Sequence, residues 1–245
     1  MSELIIKNIE VNINPEKYRT KTAFVFPESK RNSFDLEDEC FLGVSLENKN
    51  FTPERFISMI EWVSRRFSRC KILIGDSIHR ITLETSSGFQ PEEALSKAIM
   101  LGEEFINKAR IQLMNVKSRN RTEFIFVTCS EIQNTELYKN YNLKLMNYFY
   151  SSKDFKESVE NFGKKYHRNK WDNLSESEKK YHLDKSSQYF LEEFSIFACL
   201  VKNGSKVMIY PGTFSSLAEI AEGKHKGIIQ ELENLTVVSL NIKRR

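Results

Sequence analysis

Cys40-Phe41-Leu42-Gly43-Val44-Ser45 is a continuous apolar run that closes on a glycine, an aliphatic residue and a hydroxyl. A short apolar run without polar alternation is the pattern of a strand covered on both faces. The same pattern recurs at residues 23–26, 72–74, 123–129, 207–210 and 235–240. Helical patterns lie between these runs. Thr52-Pro53-Glu54 opens one, with threonine as cap and proline at the first helical position, and it carries Phe56, Ile60, Val63 and Phe67 on one face. Others run from Pro91 to about residue 115, over about 137–149 and 153–166, and over about 175–202, the last with a break allowed near Leu183. Alternation of strand and helix predicts an α/β chain with a doubly wound parallel sheet. Ligands of such sheets bind beyond the carboxyl ends of the strands. Three segments end there: Gly43-Val44-Ser45, Gly75-Asp76-Ser77 and Tyr210-Pro211-Gly212.

The chain has 245 residues, which predicts one domain over 1–245 with a core that needs neither disulfide nor metal. The 18 phenylalanines predict a core dominated by aromatic packing. A net charge of +4 permits a polyanionic partner without requiring one. Basic residues cluster at Arg65, Arg66, Arg69 and Lys71, at Lys164, Lys165, Arg168 and Lys170, and at Lys243, Arg244 and Arg245. Taken singly, each cluster reads as a solvated face. Cys40, Cys70, Cys129 and Cys199 form no CxxC pair and read as buried thiols of a reducing compartment. No segment reaches the roughly 18 apolar residues of a membrane span, so the expected location is the cytoplasm, without membrane contact. There is no GxxxxGK[ST] phosphate loop, no GxGxxG, no HExxH and no paired Cys/His spacing. The expectation is therefore no cofactor and no metal.

Ser45 places a hydroxyl just past a buried strand, beside a glycine that lets a ligand approach the backbone. The GxSxG elbow of the hydrolases is absent. Tyr189 and Glu193 are spaced i, i+4 and share a helix face among Phe190, Leu191, Phe194, Ile196 and Phe197. A glutamate in that company either sits on a surface face or lines a pocket where its pKa rises. Tyr210 follows Val207-Met208-Ile209 at a strand end. His79 follows the second strand and reads either as structural or as a base for Ser45.

Together these residues resemble the cyclodipeptide synthases, whose members look like the catalytic domain of a class I tyrosyl- or tryptophanyl-tRNA synthetase without its ATP signatures. The family's strand ending G-[apolar]-S is matched by Phe41-Leu42-Gly43-Val44-Ser45, and its Y-[apolar]-x-x-E-x-P by Tyr189-Phe190-Leu191-Glu192-Glu193. Asn48 stands where the family has an asparagine three residues after the serine, and Tyr210-Pro211 where a strand ends in tyrosine followed by His or Pro. Trp62 and Phe67 lie in the helix between the two strand ends, and Ser130-Glu131-Ile132-Gln133 with Tyr138 is similar to a further family stretch. The resemblance covers roughly residues 41–212. Ser195 replaces the motif's proline and Phe190 its aliphatic residue. Pro211 fits one of the family's two groups, whereas Asn48 is the marker of the other.

The resemblance implies a Rossmann-like doubly wound parallel sheet with helices on both faces. It implies an aminoacyltransferase that makes a 2,5-diketopiperazine from two aminoacyl-tRNAs by ping-pong catalysis through an aminoacyl-serine. In that reading Ser45 is the nucleophile. Tyr189 and Glu193 hold the α-ammonium of the first aminoacyl group, while Tyr210 and Asn48 position substrate and serine loop. Phe41, Gly43, Leu73, Ile196, Phe197 and Met208 line an apolar side-chain pocket. Lys97, Lys108, Arg110 and Lys117, with Arg119 and Arg121, are candidates for tRNA phosphates. A monomer is expected, with a dimer allowed. Two other readings stand beside it: a non-catalytic tRNA-binding module, and a serine esterase on an α/β fold, which needs a base beside Ser45.

Overall fold

The computed structural model describes residues 17–114, 122–168, 171–212 and 216–245. Its sheet contains β1 (Tyr18–Phe26), β2 (Glu39–Val44), β3 (Arg69–Ile74), β4 (Glu123–Thr128), β5 (Val207–Tyr210) and β6 (Thr236–Arg244), in the order β1-β6-β5-β2-β3-β4. The strands β6, β5, β2, β3 and β4 are mutually parallel, and β1 runs antiparallel along β6. Every apolar run picked out in the sequence overlaps one of these strands, with Cys129 falling in the helix after β4 and Leu235 just before β6. The direction of the first departs from an all-parallel sheet: residues 23–26 belong to an edge strand whose direction is set by its one neighbour, β6. Antiparallel edges of this kind are common on doubly wound sheets.

The chain winds outward from β2 through β3 to β4, then returns to the other side of β2 with β5 and β6. Strand order therefore reverses between β2 and β5, which opens a crevice at their carboxyl ends. Side chains alternate across the sheet. Leu42, Ile72, Ile209 and Val238 face a core with α1 (Pro53–Ser64) and α3 (Pro91–Met114), which includes Phe56, Ile60, Trp62, Val63 and Phe67. Phe41, Leu73, Met208 and Val237 face the opposite core, with α5 (Glu136–Ser151), α6 (Lys153–Tyr166) and α7 (Glu176–Lys202). Helices thus cover both faces.

Thr52 occupies the cap position of α1, but its hydroxyl makes no capping bond; Pro53 alone supplies the local start signal. α7 begins in a reciprocal capping box between Ser175 and Glu178 and continues through Leu183 without a break. The sequence reading omitted α2 (Asp76–Ser87), α4 (Cys129–Gln133), α8 (Ser216–Ala221) and α9 (Gln230–Glu233). α2 starts directly at the carboxyl end of β3 and ends on Gly88, whose φ of 70° suits a residue without Cβ. Its first residue is fixed twice over. The buried Asp76 carboxylate accepts bonds from the Ser130 backbone N–H and hydroxyl at the start of α4. Behind it, Gly102 of α3 approaches so closely that a Cβ there would stand 2.8 Å from Asp76 Cβ.

Gly102→Ala should accordingly destabilise the fold by about 1–3 kcal/mol, because neither neighbour is a flexible side-chain end. Urea denaturation checks this; unchanged stability would mean that the α2–α3 contact is slack.

Candidate active site

The switch point brings two strand ends together. Cys40, Phe41 and Leu42 of β2 pair with Val207, Met208 and Ile209 of β5, so Ser45 and Tyr210 emerge side by side. Ser45 Oγ and Tyr210 Oη are 2.9 Å apart. Asn48 Nδ2 donates to the same phenol oxygen at 3.4 Å, and its Oδ1 accepts from the Asn50 backbone N–H. Asn50 Nδ2 donates to the Pro211 carbonyl at 3.0 Å, and Arg55 donates to Asn50 Oδ1 at 2.8 Å. The loop after β2 is thereby tied to the loop after β5.

α7 crosses above these strand ends. Tyr189 Oη lies 3.5 Å from Glu193 Oε1, one helical turn apart. Ser45 and Glu193 line one narrow pocket with Gly43, Val44, Leu73, Gly75, Ile78, Cys129, Phe197, Met208 and Tyr210. Glu193 keeps an opening to this space, yet protein packs densely around its carboxyl. Burial pushes its pKa up to about 8, against the pull of the Tyr189 hydrogen bond. Burial among Asp76, Glu193 and Glu192 likewise holds the Cys129 thiol well above its ordinary value, so it stays protonated in the wall.

Of the six expected pocket residues, Gly43, Leu73, Phe197 and Met208 are in the wall. Phe41 and Ile196 are fully buried outside it, Phe41 with its ring 5.4 Å from Phe197. Ile196 is one residue before Phe197 on α7, which turns it about 100° away from that neighbour. Ile78 and Cys129 were missed, and Gly75 was named only within the strand-end segment Gly75-Asp76-Ser77, without a place in the pocket. They stand in the loop and the first turns that follow β3 and β4, and their direction depends on how those helices leave the sheet.

The neighbouring carboxylates of α7 have opposite surroundings. Glu192 is buried against Arg80 of α2 in a two-pronged pair with contacts of 2.9 and 2.6 Å. Gln133 and Gln188 also donate to it, each at 2.9 Å. Gln133 in turn accepts from Ser77, so α2, α4 and α7 are joined by one polar network. Glu193, a single residue on, has no cation beside it among the described residues. His79, the alternative base, has Nε2 at 3.0 Å from Glu47 Oε2.

Among the tRNA candidates, Lys108 pairs with Glu104 at 3.3 Å, and Arg110 lies over the Phe126 ring at 5.8 Å. Lys97 is half-buried on α3, and Lys117, Arg119 and Arg121 lie outside the described residues. The antiparallel edge is more uniformly basic. Tyr210 at the end of β5 pairs with Ser239, so the rest of β6 and its β1 partner project past the carboxyl edge. That ribbon exposes Lys17, Arg19, Lys21, Lys243, Arg244 and Arg245, and neither of its strands contains an acidic residue.

The strand order, with a serine at its switch point and helices on both faces, defines a doubly wound α/β protein with its crevice at the Ser45 strand end. The family model for cyclodipeptide synthase matches residues 25–222, and the chain belongs to that family. Its structure is similar to that of a cyclodipeptide synthase from Fluoribacter dumoffii (17% identity, 93% of this chain and 99% of that one, TM-score 0.75). It is also similar to a Mycobacterium tuberculosis protein reported to show that cyclodipeptide synthetases are related to type I tRNA synthetases (15% identity, 94% of each chain, TM-score 0.69). A third similar structure is the cyclodipeptide synthase from Candidatus Glomeribacter gigasporarum bound to Phe-tRNAPhe (15% identity, 84% of this chain and 88% of that one, TM-score 0.61). No curated relative matches the sequence at a significant level. The chain is thus an enzyme of a family that uses aminoacyl-tRNAs. Among the described residues, no helix is long and apolar enough to cross a membrane.

The raised Glu193 pKa has a consequence for stability. In the unfolded chain this carboxyl ionises near the ordinary glutamate value of 4.5, whereas in the fold it keeps its proton up to about 8. Between those values the native state binds more protons, so stability falls as pH rises and levels off above about 8. Glu193→Gln should remove this slope. The variant should match wild type near pH 4 and exceed it by up to a few kcal/mol at pH 9. Parallel pH profiles of the two proteins in urea denaturation would contradict the burial of this carboxyl.

Proposed function

We propose that this enzyme forms a 2,5-diketopiperazine from two aminoacyl-tRNAs by ping-pong catalysis through an aminoacyl ester on Ser45. The observation that carries this reading is the shared pocket: the Ser45 hydroxyl and the Glu193 carboxyl, the latter with its pKa raised to about 8, open into one apolar cavity. An aminoacyl-tRNA is already an activated ester, so transfer needs no ATP.

In the first step Ser45 Oγ attacks the ester carbon of the first substrate. The serine proton ends on the ribose oxygen of the departing tRNA, and the vicinal ribose hydroxyl is the candidate to relay it. Tyr210, 2.9 Å from Oγ, fixes the rotamer of the nucleophile. Glu193 starts this step largely neutral at pH 7. An α-ammonium arriving within about 4–6 Å favours its ionised form, so charge appears in the pocket only when its partner is present. Glu193 can then take the ammonium proton back and release a free amine, which is the work of a general base with a pKa near ambient pH. That amine attacks the ester carbon of the second aminoacyl-tRNA, the ribose oxygen of that tRNA departs as a hydroxyl carrying the amine's proton, and a dipeptidyl-serine results. The new terminal amine attacks the serine ester, closes the six-membered ring and restores the Ser45 hydroxyl.

The pocket wall suits a compact apolar side chain on the first amino acid. Leu73, Ile78, Cys129, Phe197 and Met208 are each 3% exposed or less, so nothing in that wall opens deeper into the protein. The basic ribbon of β1 and β6 is well placed to meet tRNA phosphates, with Lys97, Lys108 and Arg110 as further contacts. In keeping with such substrates, we place the enzyme in the cytoplasm as a single catalytic domain, monomeric by expectation. The esterase reading is disfavoured because the Ser45 hydroxyl contacts the Tyr210 phenol, and no hydrogen bond joins it to His79 among the described residues.

Expression in a bacterium with mass spectrometry of the medium should reveal a cyclic dipeptide with at least one compact apolar residue. Ser45→Ala should abolish it, and continued production by that variant would end the nucleophile assignment. Glu193→Gln should lower product by about 100-fold or more while the protein stays folded. Phe197→Ala should widen the range of the first amino acid toward bulkier side chains, read as new cyclic dipeptides in the same assay. An unchanged product set would place side-chain selection elsewhere.

A further inference from the structure

Glu47 is the sole non-glycine among the described residues with a positive φ, 57°. It sits two residues after Ser45, in a loop with no glycine to absorb that conformation. A strained backbone of this kind persists only where its surroundings over-determine it. Leu46, before it, is buried in the core beneath α1 and α3. Asn48, after it, caps the following turn and touches Tyr210. Between those anchors the Glu47 side chain reaches Nε2 of His79 on α2, 3.0 Å away. His79 is buried, with 7% of its side chain exposed, while that of Glu47 is 58% exposed. The α2 helix that carries His79 is itself immobilised by Asp76 and Ser130 on one side and by Arg80 and Glu192 on the other.

We infer that Glu47 and His79 form a latch that holds the nucleophile loop in its strained conformation and thereby keeps Ser45 Oγ against Tyr210. Both are positioning residues, acting through the loop backbone and not on substrate. The inference rests on the reading of Ser45 as nucleophile. It adds a tether from the loop to α2, on the side away from the Tyr210 and Pro211 contacts. It also gives His79 a role other than base, and it accounts for a glutamate standing where glycine would be free of strain.

The decisive variant is Glu47→Gly, because glycine adopts φ 57° without steric cost and only the anchor is lost. It is compared with Glu47→Gln, His79→Gln and the Glu47→Gly/His79→Gln double variant in the full-length enzyme. The first measurement is the rate constant for Ser45 acylation at saturating charged tRNA, alongside the affinity for charged tRNA. Glu47→Gly should acylate at least about tenfold more slowly with affinity unchanged, since a small misplacement of a nucleophile costs that much or more. Glu47→Gln, which retains reach and a hydrogen bond, should recover most of the rate, and the double variant should be no slower than the slower single one. The second measurement is hydrogen exchange over residues 45–50, which should accelerate in Glu47→Gly and His79→Gln alike. A Glu47→Gly enzyme with wild-type acylation rate and exchange overturns the latch. So does a loss of tRNA affinity in place of rate, which would assign Glu47 to the substrate. Absence of any adduct on Ser45 in wild type would defeat the nucleophile reading, and the exchange comparison would still decide the latch.

Discussion

The parallel pairing of β2 with β5 is the constraint on which the site depends. These strands are separated by more than 160 residues in the chain, yet their register sets Cys40 beside Val207 and Leu42 beside Ile209. With that register, one strand ends in the loop of Ser45 and the other in Tyr210, and the 2.9 Å contact between their hydroxyls follows. The reversal of strand order at this pair sends the chain away from the two carboxyl ends in opposite directions, which leaves a crevice there. α7 closes that space from one side and contributes Glu193.

What distinguishes Glu193 chemically is the absence of compensation. One residue earlier on the same helix, Glu192 is surrounded by Arg80, Gln133 and Gln188, and its charge is fully answered by donors. That buried pair joins α7 to α2 and fixes the rotation of the helix. A pairing of this kind costs desolvation, and its value lies in specifying one arrangement. With the helix so fixed, Glu193 faces an apolar cavity with a single weak donor, Tyr189, and its proton becomes hard to remove. The fold thus uses one carboxylate as a structural charge and leaves its neighbour without a cation, which suits the substrate ammonium proposed for it. The same α2 helix carries His79, so the elements that aim the carboxyl also brace the nucleophile loop.

Much of this was readable in the chain because the strands are buried on both faces and their apolar runs are continuous. The runs at 40–44 and 207–210 coincide with strands, and the motif residues Ser45, Glu193 and Tyr210 fall at strand ends or on one helix face. The antiparallel direction of β1 was not readable, since hydrophobicity does not encode which neighbour a strand finds. α2 was missed because its Asp-Ser-Ile-His-Arg-Ile-Thr-Leu-Glu-Thr sequence buries polar residues such as Asp76, Ser77 and His79 in hydrogen bonds. A hydrophobic periodicity reading registers these as loop. Ile78 and Cys129 escaped as pocket residues for a related reason: they belong to the first turns after strands, and their direction is fixed by packing across the crevice. The Arg80–Glu192 pair spans 112 residues and has no local signature. Glu47 carried no signal either, because its backbone angle exists only in the folded loop.

The most direct test of the central claim is to mix the purified enzyme with tRNA charged with a radiolabelled amino acid, quench in acid, and map the label by peptide mass spectrometry. The account predicts one aminoacyl group per enzyme, attached as an ester to Ser45, formed within the first turnover and released as cyclic dipeptide when a second charged tRNA is added. Label on another residue, or product formed at full rate with no adduct on Ser45, would contradict it.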